Sequence, residues 1–272
     1  MPQLKYPSIK KQQNMAGILG KVLGVVAALG GSNSTSNVHL ENIVKNATQK
    51  VANEAISAMA PKGDESSFTT NGHTYTQRGT LNIQTYNPVA TGTVSFTNVP
   101  SNFEEFKQVY EQFLGKTPHG TAAMMPMAME IYGRDRAEGE KCIRLINYPS
   151  NVNSVLSQLK EKFGTSQYAP ANDSYHQRYL PAAVLEGATP ENAYTPKQPY
   201  TINMRASVNQ HQDMQHYDGR VMYIYMMGKG WDTEQRSVEI VKTSSSELFQ
   251  VFNCPSLYTQ CKTIRGTWGG LK

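Results

Sequence analysis

Hydrophobic residues recur at helical spacing in a first long segment, about residues 38–59. Its apolar positions fall on one face, and its opposite face is polar, which is typical of an amphipathic helix. Pro61 and Gly63 follow, and both residue types end helices. The apolar face comprises Leu40, Ile43, Val44, Ala47, Val51, Ala55 and Met59.

The same periodicity predicts four more helices in the middle of the chain, at about 101–115, 117–133, 135–147 and 150–163. Ser101 and Glu104 have the spacing of a capping box, and Thr117 with Pro118 has the N-cap and N1 pattern that starts a helix. Pro126 should kink the second of these helices. The short loops between them make the four helices packed neighbours.

A period of two predicts strands on both sides of this helical cluster. Asn71-Gly72 lies between alternating β-formers at 67–76, which is a strong hairpin signal. Further strands are predicted at 81–86, 93–96, 200–208, 220–227, 236–242 and 247–253, with a short stretch at about 257–261. Residues 165–199 are rich in proline and tyrosine and read as an ordered meander.

This order of elements predicts an α+β fold, in which a helical cluster is inserted into an antiparallel sheet and an N-terminal helical arm precedes it. We divide the chain into a basic, glycine-rich arm and linker (1–37), an amphipathic helix (38–63) and an α+β domain (64–272). The strands before and after the helical cluster must pair in one sheet, so residues 64–272 should form one domain.

Charge is distributed unevenly along the 272 residues. The chain has 26 Lys and Arg against 21 Asp and Glu, a net charge of +5. Residues 1–62 contain seven basic and two acidic residues, whereas residues 63–272 contain 19 of each. Because a phosphate footprint needs clustered basic residues, we expect no nucleic-acid partner for the domain. A composition with 39% hydrophobic and 17% charged residues also excludes a disordered polyelectrolyte and a polytopic membrane protein.

The arm contains a glycine-rich apolar stretch at 15–31, for which three interpretations stay open. It has features of a secretory signal, although Lys21 interrupts the apolar run. It could form a helix that docks on a membrane or a partner through a ridge of small residues. It could also be a helix that covers part of the protein's own core. The candidate docking residues are Lys10, Lys11, Ile18, Gly20, Lys21, Val22, Gly24, Val25, Ala28 and Leu29.

Catalytic and metal-binding motifs are not evident. Gly115-Lys116-Thr117 lacks the upstream glycine and the preceding strand of a phosphate-binding loop. His211 and His216 do not have the spacing of a zinc site, and a solvated loop is expected there. The three cysteines, Cys142, Cys254 and Cys261, are expected to be free thiols. No metal and no cofactor is predicted.

One stretch resembles a bacterial family that carries only a domain-of-unknown-function label. The resemblance rests on Phe103–Phe106, Leu114–Met125, Tyr179–Pro196 and Pro199-Tyr200, and it extends over about residues 95–260. The segment Gly228–Ser237 departs from the turn expected in such relatives. The resemblance implies a bacterial or bacteriophage origin and transfers no catalytic residue.

We therefore expect a non-catalytic structural or interaction protein. Its basic arm would dock on a membrane surface or within a multi-protein assembly, such as a phage particle or a secretion apparatus. Protein partners or self-assembly are expected, in the cell envelope or an assembled particle, with a cytoplasmic location as the alternative. Two other functions stay open: an exported protein with a signal-like N-terminus, and an enzyme of unrecognised type that uses Cys142 or His119.

Overall fold

A computed structural model describes residues 63–85, 87–164, 176–207, 212–214 and 219–271. Contacts between residues divide the chain into two units, 1–59 and 60–272. The first unit, with the predicted arm and the predicted helix at 38–59, lies outside the described residues.

The strands of the described residues form one antiparallel sheet. Its order is β1-β2-β3-β4-β6-β7-β8, and β5 pairs with β6 beside this path. The strands are β1 (Glu65–Thr70), β2 (His73–Gly79), β3 (Thr91–Phe96), β4 (Tyr200–Ala206), β5 (Gln212–Met214), β6 (Gly219–Met227), β7 (Gln235–Thr243) and β8 (Gln250–Asn253).

In the described residues, four α-helices are inserted between β3 and β4, which are neighbours in the sheet although about a hundred residues separate them. The helices are α1 (Phe103–Gln112), α2 (Pro118–Arg134), α3 (Arg136–Ile146) and α4 (Val152–Phe163). The predicted α+β fold with an inserted helical cluster is therefore confirmed for the second unit.

The core lies between one face of the sheet and helix α2. Residues of α2 are buried from Pro118 to Gly133, so this helix is enclosed almost along its whole length. The sheet contributes alternate side chains, such as Val94, Ile202 and Ile224, which are fully buried. The opposite face of the same strands is mainly polar and half-buried, as the alternation of an antiparallel sheet requires.

The described part of the proline-rich meander, residues 176–199, is ordered against this core. It contains two short 3₁₀-helices, Leu180–Val184 and Pro190–Asn192, and the first of them is buried throughout. Backbone hydrogen bonds join Glu186 N to Thr201 O at 2.8 Å and Lys197 N to Glu186 O at 3.0 Å. The prediction of an ordered meander is correct here, and residues 165–175 lie outside the described residues.

The predicted strand at 81–86 is wrong over residues 81–85. Leu81 and Ile83 are both buried, but the segment is irregular. The side chain of Asn82 accepts a hydrogen bond from Gln84 N at 2.7 Å. This local bond turns the chain, because asparagine offers the backbone an alternative to strand pairing.

Two other predictions of local structure are also wrong. The short stretch predicted at 257–261 contains the end of a 3₁₀-helix, Pro255–Tyr258, in which the adjacent residues Leu257 and Tyr258 are both buried. Two consecutive buried side chains fit a helical turn better than a strand that alternates between faces. Residues 212–214, expected in a solvated loop, form strand β5 because they pair with the start of β6.

Candidate functional site

Strand β1 forms an open edge among the described residues, since no described strand pairs with its outer side. Its six residues pair with β2 in an unbroken antiparallel register from Glu65 opposite Arg78 to Thr70 opposite His73. Four of the six residues are exposed, and Phe68 and Thr70 are half-buried. Strand edges of this kind present unpaired amide and carbonyl groups, which can pair with another strand.

The register decides which backbone groups of β1 point outward. Thr97 N donates to Thr74 O at 3.1 Å, so the backbone of Thr74 faces β3 and turns away from β1. In an antiparallel ladder this orientation alternates from residue to residue. Phe68 therefore bonds to Tyr75 across the ladder, while the amide and carbonyl groups of Ser67 and Thr69 point toward the open edge.

A half-exposed aromatic pair lies beside this edge. The ring of Phe68 stacks on the ring of Phe113, at the end of α1, with 5.9 Å between the ring centroids and 25° between the planes. Both rings are only partly buried against the core. Apolar surface next to unpaired strand groups is typical of protein interfaces.

The opposite end of the sheet is covered. Tyr148 N, in the connection between α3 and α4, donates to Val251 O of β8 at 2.8 Å, and Asn147 forms a parallel bridge with Val251. The side chain of Asn151 also donates to Phe252 O. The connection between α3 and α4 thus covers the outer edge of β8.

A buried carboxylate fastens the β1–β2 hairpin to helix α1. Glu105 accepts hydrogen bonds from His73 Nδ1 at 2.7 Å, from Tyr75 OH at 2.8 Å and from Ser101 N at 2.9 Å. Burial alone would raise the pKa of Glu105, but these hydrogen bonds outweigh it and hold the pKa below its ordinary value. An ionised carboxylate only accepts, so His73 donates from Nδ1.

The same carboxylate shows that the capping motif of α1 differs from its prediction. The N-cap is Asn102, whose side chain accepts from Glu105 N at 3.0 Å, and Glu105 in turn accepts from Ser101 N. The sequence favoured Ser101 with Glu104, one residue earlier. The structure selects Glu105 because its side chain also bonds to β2, which the spacing by itself does not reveal.

The docking residues predicted in the arm all lie outside the described residues. This holds for Lys10, Lys11, Ile18, Gly20, Lys21, Val22, Gly24, Val25, Ala28 and Leu29. Their role stays a prediction. The open edge at β1 was not predicted as a site, although the Asn71-Gly72 signal located its hairpin.

Cysteine chemistry is confined to buried free thiols. Cys142, Cys254 and Cys261 are all buried and unpaired by disulfides, as predicted. Burial raises the pKa of each thiol to about 12. At neutral pH each is therefore a neutral thiol, which is a poor nucleophile.

His119, the other residue named for a possible catalytic role, lies at the start of α2 against β2 and β3. A Cβ at Gly92 would come within 2.6 Å of His119 Cβ, and one at Gly79 within 3.3 Å of His119 Cε1. Those two glycines are opposite each other in the sheet, and they make room for the imidazole. Burial lowers the pKa of His119 to about 4, so the ring is neutral at physiological pH.

The segment Gly115-Lys116-Thr117 joins two helices, as expected. Leu114–Lys116 forms a 3₁₀-turn, and Thr117 caps α2 by accepting from Gly120 N at 3.0 Å. The Thr117 hydroxyl donates to Gln77 Oε1 at 2.7 Å, which links the cap to β2. The phosphate-binding interpretation is therefore not needed to explain these residues.

Metal ligands do not cluster in the part of the chain that the structure describes. No group of three or more His, Cys, Asp or Glu side chains there could hold a metal ion. His211 and His216 lie outside the described residues. Among the described helices, none is both long and apolar enough to cross a membrane.

A second buried carboxylate lies near the end of α2. Glu130 is 3% exposed, its Oε1 is 3.9 Å from Arg134 Nε, and the backbone amide of Leu271 donates to it. Burial raises the pKa of Glu130 to about 8, although Arg134 and Arg178 oppose this shift. Glu130 thereby connects the last described residues of the chain to the central helix.

An antiparallel sheet with helices inserted between its third and fourth strands defines a class of α+β domain. The chain belongs to the family described as domain of unknown function DUF6935, whose model matches residues 98–265. This confirms the resemblance to an uncharacterised family, whereas the bacterial or bacteriophage origin stays a prediction. The match starts after β3, so the open edge precedes the matched segment. Neither the curated proteins nor the solved structures contain a match to the chain.

Proposed function

We propose that this protein is a non-catalytic structural or interaction protein whose basic N-terminal arm docks on a membrane surface or within a multi-protein assembly, such as a phage particle or a secretion apparatus. One observation carries the proposal: the whole net charge of +5 falls in residues 1–62, and residues 63–272 are neutral. Because the domain is neutral, electrostatic attraction to an anionic partner comes mainly from the basic arm.

The arm has the composition that such docking needs. Lys10, Lys11 and Lys21 lie in a stretch that contains no acidic residue before Glu41. Each lysine close to an anionic membrane surface contributes about 1 kcal/mol of binding free energy. Three of them would contribute about 3 kcal/mol, and burial of the apolar residues between 15 and 31 in the interface would add to it.

The folded domain supports a role without covalent chemistry. The thiol of Cys142 and the imidazole of His119 are the groups on which the enzymatic alternative depends. Burial leaves the Cys142 thiol protonated and the His119 imidazole neutral at neutral pH. A protonated thiol is a poor nucleophile. A neutral imidazole could act as a general base, but His119 is only 4% exposed and is therefore out of reach of a substrate.

Vesicle co-sedimentation tests the proposal. The full chain should bind vesicles of phosphatidylglycerol and phosphatidylcholine better than vesicles of phosphatidylcholine alone, and added salt should weaken this binding. A variant with Lys10, Lys11 and Lys21 all changed to Gln should lose it. The matched control changes Lys116, Lys160 and Lys229 to Gln, which are exposed on the domain and remove the same charge.

Docking within a multi-protein assembly is tested separately, by co-purification of partner proteins. Proteins that co-purify with the full chain should be lost when residues 1–36 are deleted. A deletion variant that keeps both vesicle binding and the same partners would overturn the proposal. Mass spectrometry of the native protein separates it from export, because cleavage near residue 30 would remove the docking residues.

A further inference from the structure

We propose that two copies of this chain associate through their β1 strands, which pair antiparallel across a two-fold axis and continue the sheet from one copy into the other. The inference concerns the folded domain and goes beyond the function proposed for the arm. It starts from the open edge at β1, whose outward backbone groups belong to Glu65, Ser67 and Thr69.

Strand β1 itself has none of the sequence features with which an edge strand blocks strand addition. From Ser66 to Thr70 the strand has no charged residue, no proline and no break in its register with β2. Such features commonly protect an exposed edge. The other end of the sheet is protected, since the chain covers β8 through Tyr148 and Asn151. The contrast singles out β1.

The geometry of the strand restricts how a second copy can pair. A two-fold axis perpendicular to the sheet keeps the core-facing residues of both copies on the same side. Residues that point outward must also exchange hydrogen bonds with one another. A register that places Phe68 opposite Phe68 of the second copy satisfies both conditions, because Ser67 then bonds to Thr69 and Thr69 to Ser67.

This register is favourable for the side chains as well. The two Phe68 rings would meet beside the two Phe113 rings, and four half-exposed aromatic rings would lose contact with water. On the other face, Ser67 and Thr69 already bond to Thr76 and Thr74 at 2.8 and 3.1 Å. Pairing continues this row of hydroxyl groups into the second copy.

Charge does not oppose the association. Glu65 is the one charged residue of β1, and the register places it opposite Asn71 of the second copy. No two carboxylates therefore face each other directly, a placement that would destabilise the pair. A strand that is self-complementary in backbone, hydroxyl and aromatic groups fits a second copy of itself.

Light scattering coupled to size exclusion tests the association with the full chain. The apparent mass should be twice 30.2 kDa at high protein concentration. Ser67→Pro removes only the outward amide, since Ser67 does not bond to β2 through its backbone, and should return the mass to one chain. Ser67→Ala keeps this amide and is the matched control. The arm variant with three lysines changed to Gln should associate like the wild type.

A pair of single-cysteine variants tests the register and does not depend on the proline variant folding. Directly opposed, non-hydrogen-bonded residues have Cα atoms about 4.5 Å apart, within the range of a disulfide. Phe68→Cys should therefore cross-link two copies on mild oxidation, whereas Ser67→Cys should not. The three native thiols are buried and should not interfere.

Several outcomes would overturn the proposal. A wild-type chain that keeps the mass of one copy at high protein concentration would exclude self-association through β1. A Ser67→Pro variant that associates like the wild type would place the interface elsewhere. Equal cross-linking of the two cysteine variants would exclude this register.

Discussion

The imidazole of His73 and the carboxylate of Glu105 are joined at 2.7 Å across the boundary between the sheet and helix α1. Tyr75 and the backbone of Ser101 bond to the same carboxylate, which is almost fully buried. These contacts hold the β1–β2 hairpin, and with it the open edge, against the helical cluster. The free energy of unfolding should therefore depend on the contacts of Glu105, which position the strand of the proposed interface.

Replacing Glu105 by Gln should destabilise the domain. The amide keeps one acceptor oxygen but loses the charge that three donors share, and hydrogen bonds to a buried charged group contribute roughly 1.5–3 kcal/mol. We expect a loss of about 2 kcal/mol in the free energy of unfolding, measured by urea denaturation. Glu104→Gln, at the exposed neighbouring position, is the control and should have almost no effect. Equal effects of the two substitutions would contradict the role assigned to Glu105.

Low pH should weaken the same contacts between Glu105 and the hairpin, and so lower the stability of the domain. The pKa of Glu105 is lower in the folded protein than its ordinary value, so its contribution is present above the ordinary pKa and is lost as the pH falls through the folded value. The wild type should therefore lose more stability than Glu105→Gln between pH 6 and pH 3. Parallel curves of unfolding free energy against pH would be inconsistent with this assignment.

Glu130 should give the opposite dependence on pH. Its pKa is raised to about 8, chiefly by burial, so the folded state holds a proton that the unfolded state has released. The stability that Glu130 contributes is present below its ordinary pKa and declines as the pH rises through about 8. Glu130→Gln stays neutral and should flatten the decline seen in thermal unfolding between pH 6 and pH 9. A decline as steep as that of the wild type would show that another group causes it.

The buried thiols should be unreactive in the folded protein. Only thiolates react quickly with a disulfide reagent, and the pKa of about 12 of Cys142, Cys254 and Cys261 leaves almost none at pH 8. Ellman's reagent should detect three thiols in guanidinium chloride and none within minutes in buffer. A fast-reacting thiol in the native protein, lost in Cys142→Ala, would revive the enzymatic alternative.

Gly92 should not tolerate a side chain. A Cβ at this position would come within 2.6 Å of His119 Cβ and 2.9 Å of Leu81 Cδ1, so the start of α2 would have to move off β3. Overpacking of this kind costs about 1–3 kcal/mol. Gly92→Ala should lower the melting temperature, whereas Gly269→Ala, which has open space around it, should leave it unchanged.

Local patterns in the sequence were sufficient for most of the domain. Asn71-Gly72 predicted the hairpin, in which both residues adopt positive φ. The apolar spacing predicted the four helices of the inserted cluster, and the strands predicted at 93–96, 200–208, 220–227, 236–242 and 247–253 overlap β3, β4, β6, β7 and β8. These elements are encoded by turn chemistry and periodicity within short windows, which a single sequence displays directly.

Only the tertiary structure decided the features on which the proposals for the domain depend. Glu104 and Glu105 are adjacent carboxylates, and only the approach of β2 buries the second and gives it three donors. Leu81 and Ile83 alternate like a strand, yet Asn82 turns the chain and both side chains enter the core. Strand order places β1 and β8 at the two ends of the sheet, and the connection between α3 and α4 covers β8. The sequence by itself determined the neutral domain, its basic arm and its local elements. Edges, buried charges and close packing depend on contacts between distant residues, which only the folded chain creates.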